Sequence, residues 1–116
     1  MKARLPKGMG GGPSNMNQMM RQVQQFQAER EALEEDLANR EYEIAAGGGA
    51  VKLKINGRHE IFDLFIDPEI IDPDDPETLQ DVVTAAVNEA IKRAEDAAAE
   101  ELSGLSRKFG IPDGAL

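Results

Sequence analysis

Cysteine and tryptophan are absent from this chain, and histidine and tyrosine occur once each. Without cysteine there is no disulfide, no thiolate metal site and no thiol nucleophile. The lone histidine, His59, leaves little for imidazole chemistry or zinc. No serine or second histidine lies near it in sequence, so it reads as a solvated turn residue rather than a catalyst. Aromatic residues make up only 4% of the chain. A monomer therefore has few large side chains to bury, and self-association is expected. No apolar run approaches the roughly 18 residues of a membrane span, and no basic-then-apolar leader opens the sequence, so a soluble, cytoplasmic protein with no membrane partner is expected. Positive charge is also scarce: 13 Lys and Arg face 22 Asp and Glu, a formal net charge of −9 over 116 residues. Such a total argues against indiscriminate attraction to nucleic acid, although a total conceals distribution.

The distribution is uneven. Residues 1–30 carry Lys2, Arg4, Lys7, Arg21 and Arg30 against the single acid Glu29, a net +4, and the remainder sums to −13. A basic end on an acidic body is either a solvated tail or an arm that meets an anionic partner. Gly8, Gly10, Gly11, Gly12 and Pro13 punctuate the first segment, so residues 1–15 are expected to form a flexible, glycine-rich basic arm. They do not form a phosphate-binding loop, which needs Lys and Ser or Thr directly after the last glycine and a strand before the first.

Beyond the arm the chain is periodic. Met16, Met19, Val23, Phe26, Arg30, Leu33, Leu37 and Arg40 recur at alternating spacings of three and four, a heptad seam on a long helix that Asn15 is placed to cap. Arg30 interrupts the seam, laying its methylenes along apolar neighbours or presenting its charge to a partner. The period then changes to two: Tyr42, Ile44 and Ala46 alternate with Glu41, Glu43 and Ala45, as on a strand. Gly47-Gly48-Gly49 predicts a turn, and Val51, Leu53 and Ile55 a second strand with Lys52 and Lys54 on its outer face. Asn56-Gly57 predicts a type I′ hairpin turn.

Arg58 to Ile66 reads as a third strand, with Phe62, Leu64 and Ile66 on one face and Ile61, Asp63 and Phe65 on the other. A strand apolar on both sides is expected to be central or covered by a partner. The acidic stretch from Asp67 to Pro76 contains three prolines and lacks the ligand spacing of a calcium loop, so it is a connector in which Asp75 caps a second helix and Pro76 opens it. That helix carries Leu79, Val82, Val83, Ala86, Val87, Ala90, Ile91, Ala94, Ala98 and Leu102 as its core stripe. Lys92 and Arg93 sit among acids, and Gly104 is expected to end the helix ahead of a short flexible tail over 104–116.

Four segments, in order, carry a resemblance: Asn15-Met16-Asn17-Gln18-Met19-Met20-Arg21-Gln22-Val23-Gln24, then Gly47-Gly48-Gly49-Ala50-Val51-Lys52-Leu53, then Ile66-Asp67-Pro68-Glu69, and Val83-Thr84-Ala85-Ala86-Val87-Asn88-Glu89-Ala90. Together they resemble the YbaB/EbfC family of bacterial nucleoid-associated proteins over roughly residues 16–102. Phe26 stands where that family tends to have Met, and Phe62, Asp63 and Phe65 depart from its more usual third strand. The resemblance implies an α+β domain over 16–103, built from a long N-terminal helix, a three-stranded antiparallel sheet and a C-terminal helix, and assembled as a tweezer-shaped homodimer. It also implies a nucleoid-associated protein that binds duplex DNA with little sequence specificity and affects nucleoid organisation and gene expression. No catalysis, metal, cofactor or small-molecule substrate is implied.

Charge places the expected DNA contacts at Lys2, Arg4, Lys7 and Arg21, then Arg30, and after them Lys92 and Arg93. The second apolar face of the third strand places dimer contacts at Ile61 and Phe65, and the heptad seam, more than a single second helix would cover, places others at Met19, Val23 and Phe26. The competing expectation is an interaction or assembly module without direct DNA binding, in which the Met-rich helix and the Phe65 face hold a protein partner.

Overall fold

The computed structural model describes residues 12–111, with side chains from Asn15 onward. Helix α1 spans Gly12–Asn39, strands β1, β2 and β3 span Glu41–Ala46, Val51–Asn56 and Ile61–Ile66, and helix α2 spans Pro76–Lys108. Two single 3₁₀ turns, Gly47–Gly49 and Pro68–Ile70, join them. This is an α+β fold with a meander sheet of order β1-β2-β3, antiparallel throughout. The described residues form a rod of 90 × 20 × 15 Å.

One face of the sheet is dry. Val51, Leu53 and Ile55 on the central strand, with Ile44 on β1, pack against Ala86 and Ala90 of α2. The alternation read from the sequence explains this directly, because successive residues of a strand point to opposite faces. Ala86, Ala90 and Ala94 are all buried at four-residue spacing, so the helix backbone lies close to the sheet along a stripe without bulk. Val82, Val83, Val87 and Ile91 flank that stripe and close its sides.

Turn chemistry sets the connections. Gly47, Gly48 and Gly49 adopt φ of 62°, 69° and 94°, a left-handed run open to glycine at little cost. The β2–β3 hairpin differs from the expected type I′ turn. His59 N–H donates to Asn56 O and Asn56 N–H donates to Glu60 O, both at 3.0 Å, and the left-handed residue is His59 at φ 64°. This is a three-residue loop, a turn followed by one left-handed position. The Asn56 side chain holds it by accepting from the N–H groups of Arg58 and Glu60 at 2.8 and 3.1 Å.

Gly57 serves another purpose. A methyl group there would overlap Leu37 O and lie 2.7 Å from Leu37 C and 2.9 Å from Ala38 Cα, while its N–H donates to Arg40 O at 3.0 Å. Glycine at 57 therefore lets the hairpin seat against the end of α1. Because a non-glycine left-handed residue costs about 1–2 kcal/mol and the unfolded chain's added freedom offsets about 0.4–1 kcal/mol of the relief, His59→Gly is expected to raise stability by roughly 0.5–1 kcal/mol. Urea unfolding with an unchanged slope is the check, and a lower midpoint would overturn it.

Strand β3 forms the edge of the sheet, not its centre. Its pairing with β2 shifts by one residue between Lys54 and Ile55, so Phe62 is an extra residue on β3, a bulge. Cross-strand partners share a face, and Ile61 pairs with Ile55 while Leu64 pairs with Leu53. Ile61 thus sits on the side of Leu64 and Ile66, separated from Phe65, contrary to the strict alternation expected from the sequence. Strand order in Arg58–Glu60 is replaced by the loop.

Both helices are longer than their sequence signals. Asn15 lies inside α1 rather than capping it, and α2 runs through Gly104 to Lys108. The connector and the start of α2 match expectation: Asp75 accepts from Thr78 N at 3.3 Å and from Thr78 Oγ1 at 2.6 Å, with Pro76 in the first turn. Asp67 and Asp72 similarly accept from the N–H groups of Glu69 and Asp74, each at 2.9 Å. These bonds account for the carboxylate density as turn and cap chemistry.

The extension of α2 is a tertiary effect. Its last turns lie antiparallel against α1: the Phe26 and Phe109 rings meet edge to face at 5.3 Å, and Lys108 Nζ pairs with Glu29 at 2.8 Å. Nearer the sheet, Arg40 bridges Asp36 at 2.7 Å and Glu101 at 3.0 Å. An interior glycine costs about 1 kcal/mol, which apolar burial of this kind outweighs.

Candidate nucleic-acid interface

Helix α1 outruns its partner. Beyond the Phe26–Phe109 contact, its first 14 residues project for about 20 Å at 1.5 Å per residue. Residues 12–28 contain no carboxylate, and Arg21 is their sole charge. Arg21 lies in a shallow depression with Asn17, Met20 and Gln24. The residues three and four positions to either side are Asn17, Gln18, Gln24 and Gln25, so no neighbouring acid is within helical reach.

The other expected basic contacts are engaged. Arg30 Nε lies 3.4 Å from Glu34, and Lys92 Nζ 2.7 Å from Asp96. The hydrogen bond to Asp96 raises the Lys92 pKa above its ordinary value. Arg93 lies over the Tyr42 ring at 5.8 Å, a cation–π contact to the sheet. Lys108 is committed to Glu29, whose carboxyl it holds below the ordinary glutamate value by a hydrogen bond. Lys2, Arg4 and Lys7 lie outside the described residues.

Among the described residues, Arg21, Lys52, Lys54, Arg58, Arg93 and Arg107 stand in no ion pair. Lys54 is flanked across the sheet by Glu43 and Asp63, and Lys52 by Ala45 and Phe65. Arg58 donates to the neutral Asn39 side chain at 3.1 Å. Arg107 occupies the last turn of α2, at the same end of the rod as Arg21. Sequence reasoning passed over Arg58 and Arg107. The signal that finds Arg107 is the one that singles out Arg21, the lack of an acid three or four residues away.

The apolar candidates divide. Met19 and Val23 are exposed along with Met16 and Met20, at 55–64%. Phe26 is buried against its own chain. Ile61 and Phe65 are exposed at 40% and 50%, and Phe62 and Leu64, which sequence reasoning did not select, are exposed to the same degree. Among the described residues no group of three or more His, Asp or Glu is arranged to hold a metal ion, and no helix is long and apolar enough to cross a membrane.

An acidic rod with one carboxylate-free helical end defines a binding module for an anionic partner. The family model described as the YbaB/EbfC DNA-binding family matches residues 10–109, and the chain belongs to that family, which makes it a DNA-binding protein and not an enzyme. A nucleoid-associated protein of Pelotomaculum thermopropionicum is 50% identical over 104 residues, covering 90% of this chain and 96% of its own length. Another, from Clostridium acetobutylicum, is 43% identical over 105 residues, covering 90% and 92%. The crystal structure of an uncharacterized protein from Helicobacter pylori aligns with a TM-score of 0.54 at 29% identity, covering 65% of this chain and 87% of that one.

Proposed function

We propose that this chain is a cytoplasmic, nucleoid-associated homodimer that binds duplex DNA through its phosphates with little sequence preference, and thereby affects nucleoid organisation and gene expression. The observation that carries the reading is the acid-free segment 1–28, with Arg21 exposed and unpaired on a projecting helix. Phosphate contacts need positive charge free of neighbouring carboxylates. Lys2, Arg4 and Lys7 belong to the same segment, and the first turn of α1 adds the partial positive charge of a helix N-terminus. The carboxylates of the body confine the contact to that end. Arg30, Lys92 and Arg93 are then secondary, since each already has a partner within its own chain. The low aromatic content leaves few side chains for base stacking, in keeping with contact to the backbone rather than to bases. The relatives' description as nucleoid-associated proteins supports the same reading.

Fluorescence anisotropy with unrelated duplexes between 50 and 200 mM salt tests it. Arg21→Glu combined with deletion of residues 1–14 is expected to weaken binding to every duplex alike and to flatten the logarithmic salt slope by about 0.9 per lost phosphate contact. Unchanged affinity and slope in a protein that still dimerises would overturn the assignment. The exposed Met16, Met19, Met20 and Val23 favour the second reading, an assembly module, whose apolar contact would persist at high salt.

A further inference from the structure

We propose that Met16, Met19 and Met20 form a thioether site for a soft monovalent metal ion of the Cu(I) class. Three of the chain's five methionines fall within residues 16–20. Packing inside the protomer does not account for them, because they are exposed at 59%, 64% and 57%. Spacings of three and four place all three on one side of α1, within an arc of about 100° and with Cβ atoms about 5–6 Å apart. They border one groove, whose remaining walls are Val23 and Gln24. Methionine is unbranched, freely rotating and carries a polarizable sulfur, so the three sulfurs can swing to a common point in that groove.

The donor set selects the ion. Residues 12–28 contain no carboxylate, histidine or cysteine. Mg²⁺ and Ca²⁺, which take oxygen ligands, and Zn²⁺, which takes imidazole, thiolate or carboxylate, therefore find no ligand set on this arm. Thioethers are soft donors and suit Cu(I). They are also neutral. A divalent ion in this groove would face the positive end of the helix dipole and the adjacent Arg21 charge with no anionic ligand to offset them; a monovalent ion meets half that opposition. Arg21 departs from another side of the helix, about 100° round from Met20, and leaves the groove clear. A thioether has no proton to lose before it can ligate, so this site holds its metal across a pH range in which thiolate and imidazole sites exchange theirs for protons.

A bound ion ties residues 16–20 together and adds one positive charge beside the depression around Arg21, which Met20 also lines. On the DNA-binding reading that charge would strengthen a phosphate contact; the site itself does not rest on that reading.

Titration of the intact chain with Cu(I), kept reduced under anaerobic conditions and buffered by bicinchoninate, reads stoichiometry and affinity without DNA. The methionine methyl resonances identify the ligands. One ion per chain is expected, with the methyls of Met16, Met19 and Met20 shifting together and those of Met1 and Met9 unmoved. Affinity is expected to stay level between about pH 6 and pH 8, and Zn²⁺ at the same concentration is expected to move none of these methyls. Met19→Leu conserves volume and apolar character at an exposed position, so the circular dichroism should not change. It is expected to weaken Cu(I) binding by at least the roughly 10–100-fold that loss of a supporting residue costs a metal site. Met16→Leu, Met19→Leu and Met20→Leu together are expected to abolish it, which separates sulfur ligation from the groove's apolar surface. An intact chain that binds no Cu(I), binding that survives in the triple variant, equal shifts at Met1 or Met9, or an equal response to Zn²⁺ would each overturn the proposal.

Discussion

Leu53→Asp is expected to abolish cooperative folding. Leu53 is among the largest fully buried side chains, at the centre of the middle strand and inside the cluster that joins the sheet to Ala86 and Ala90. The substitution removes apolar burial worth about 2 kcal/mol and places a carboxylate where no base is buried. A buried, unpaired charge costs several kcal/mol more or forces protonation. Domains of this size have only about 5–15 kcal/mol of total stability, so the combined loss consumes most of it. Circular dichroism and thermal melting at neutral pH are the check. A native spectrum and unchanged melting would mean that β2 faces the other way.

On the proposed homodimer reading, Leu64→Glu together with Phe65→Glu is expected to leave the fold intact and reduce the particle to 12.6 kDa, the mass of one chain. Both residues are half exposed within the protomer, so neither carboxylate meets a closed core. They occupy opposite faces of an edge strand, and such an edge presents unpaired N–H and C=O groups to another strand. Apolar residues on both faces of an edge are what a second copy would cover. If this edge is the dimer contact, losing two of its large apolar side chains and adding two charges to each copy should weaken association by more than a hundredfold, about 2.7 kcal/mol or greater. Sedimentation at micromolar protein decides it. A wild-type chain that already runs as a monomer, or a doubly substituted chain that keeps the dimer mass, would refute this assignment.

Much of the architecture was legible because it obeys a period. The alternation of Val51, Leu53 and Ile55 and the alanine stripe of α2 each follow from which residues repeat on one face. The failures share a cause, which is contact between segments distant in the chain. Gly104 resembles a helix end, yet Phe26 and Glu29 hold the turn beyond it. Asn56-Gly57 carries a type I′ signature, but the glycine is required by the approach of Leu37 and Ala38, and the left-handed position passes to His59. An inserted Phe62 shifts the facing of Ile61, which no count of apolar residues reveals. On the candidate interface, the isolation of Arg21 was visible from neighbouring residues on its own helix, and so were the ion pairs that occupy Arg30 and Lys92. The engagement of Arg93 with Tyr42 was hidden, because it crosses from helix to sheet.

The seating of Gly57 against the end of α1 also makes that helix a lever. The contact at Leu37, Ala38 and Arg40 is its fulcrum, and the 28 residues of α1 give it a length of about 42 Å. A tilt of about 5° at the fulcrum displaces the far tip by nearly 4 Å, over the length set by the helical rise. Arg21, about 25 Å from the fulcrum at 1.5 Å per residue, moves by about 2 Å for the same tilt. On the proposed homodimer reading, the gauge between the two projecting helix ends would be set at the hairpin, far from Arg21 itself.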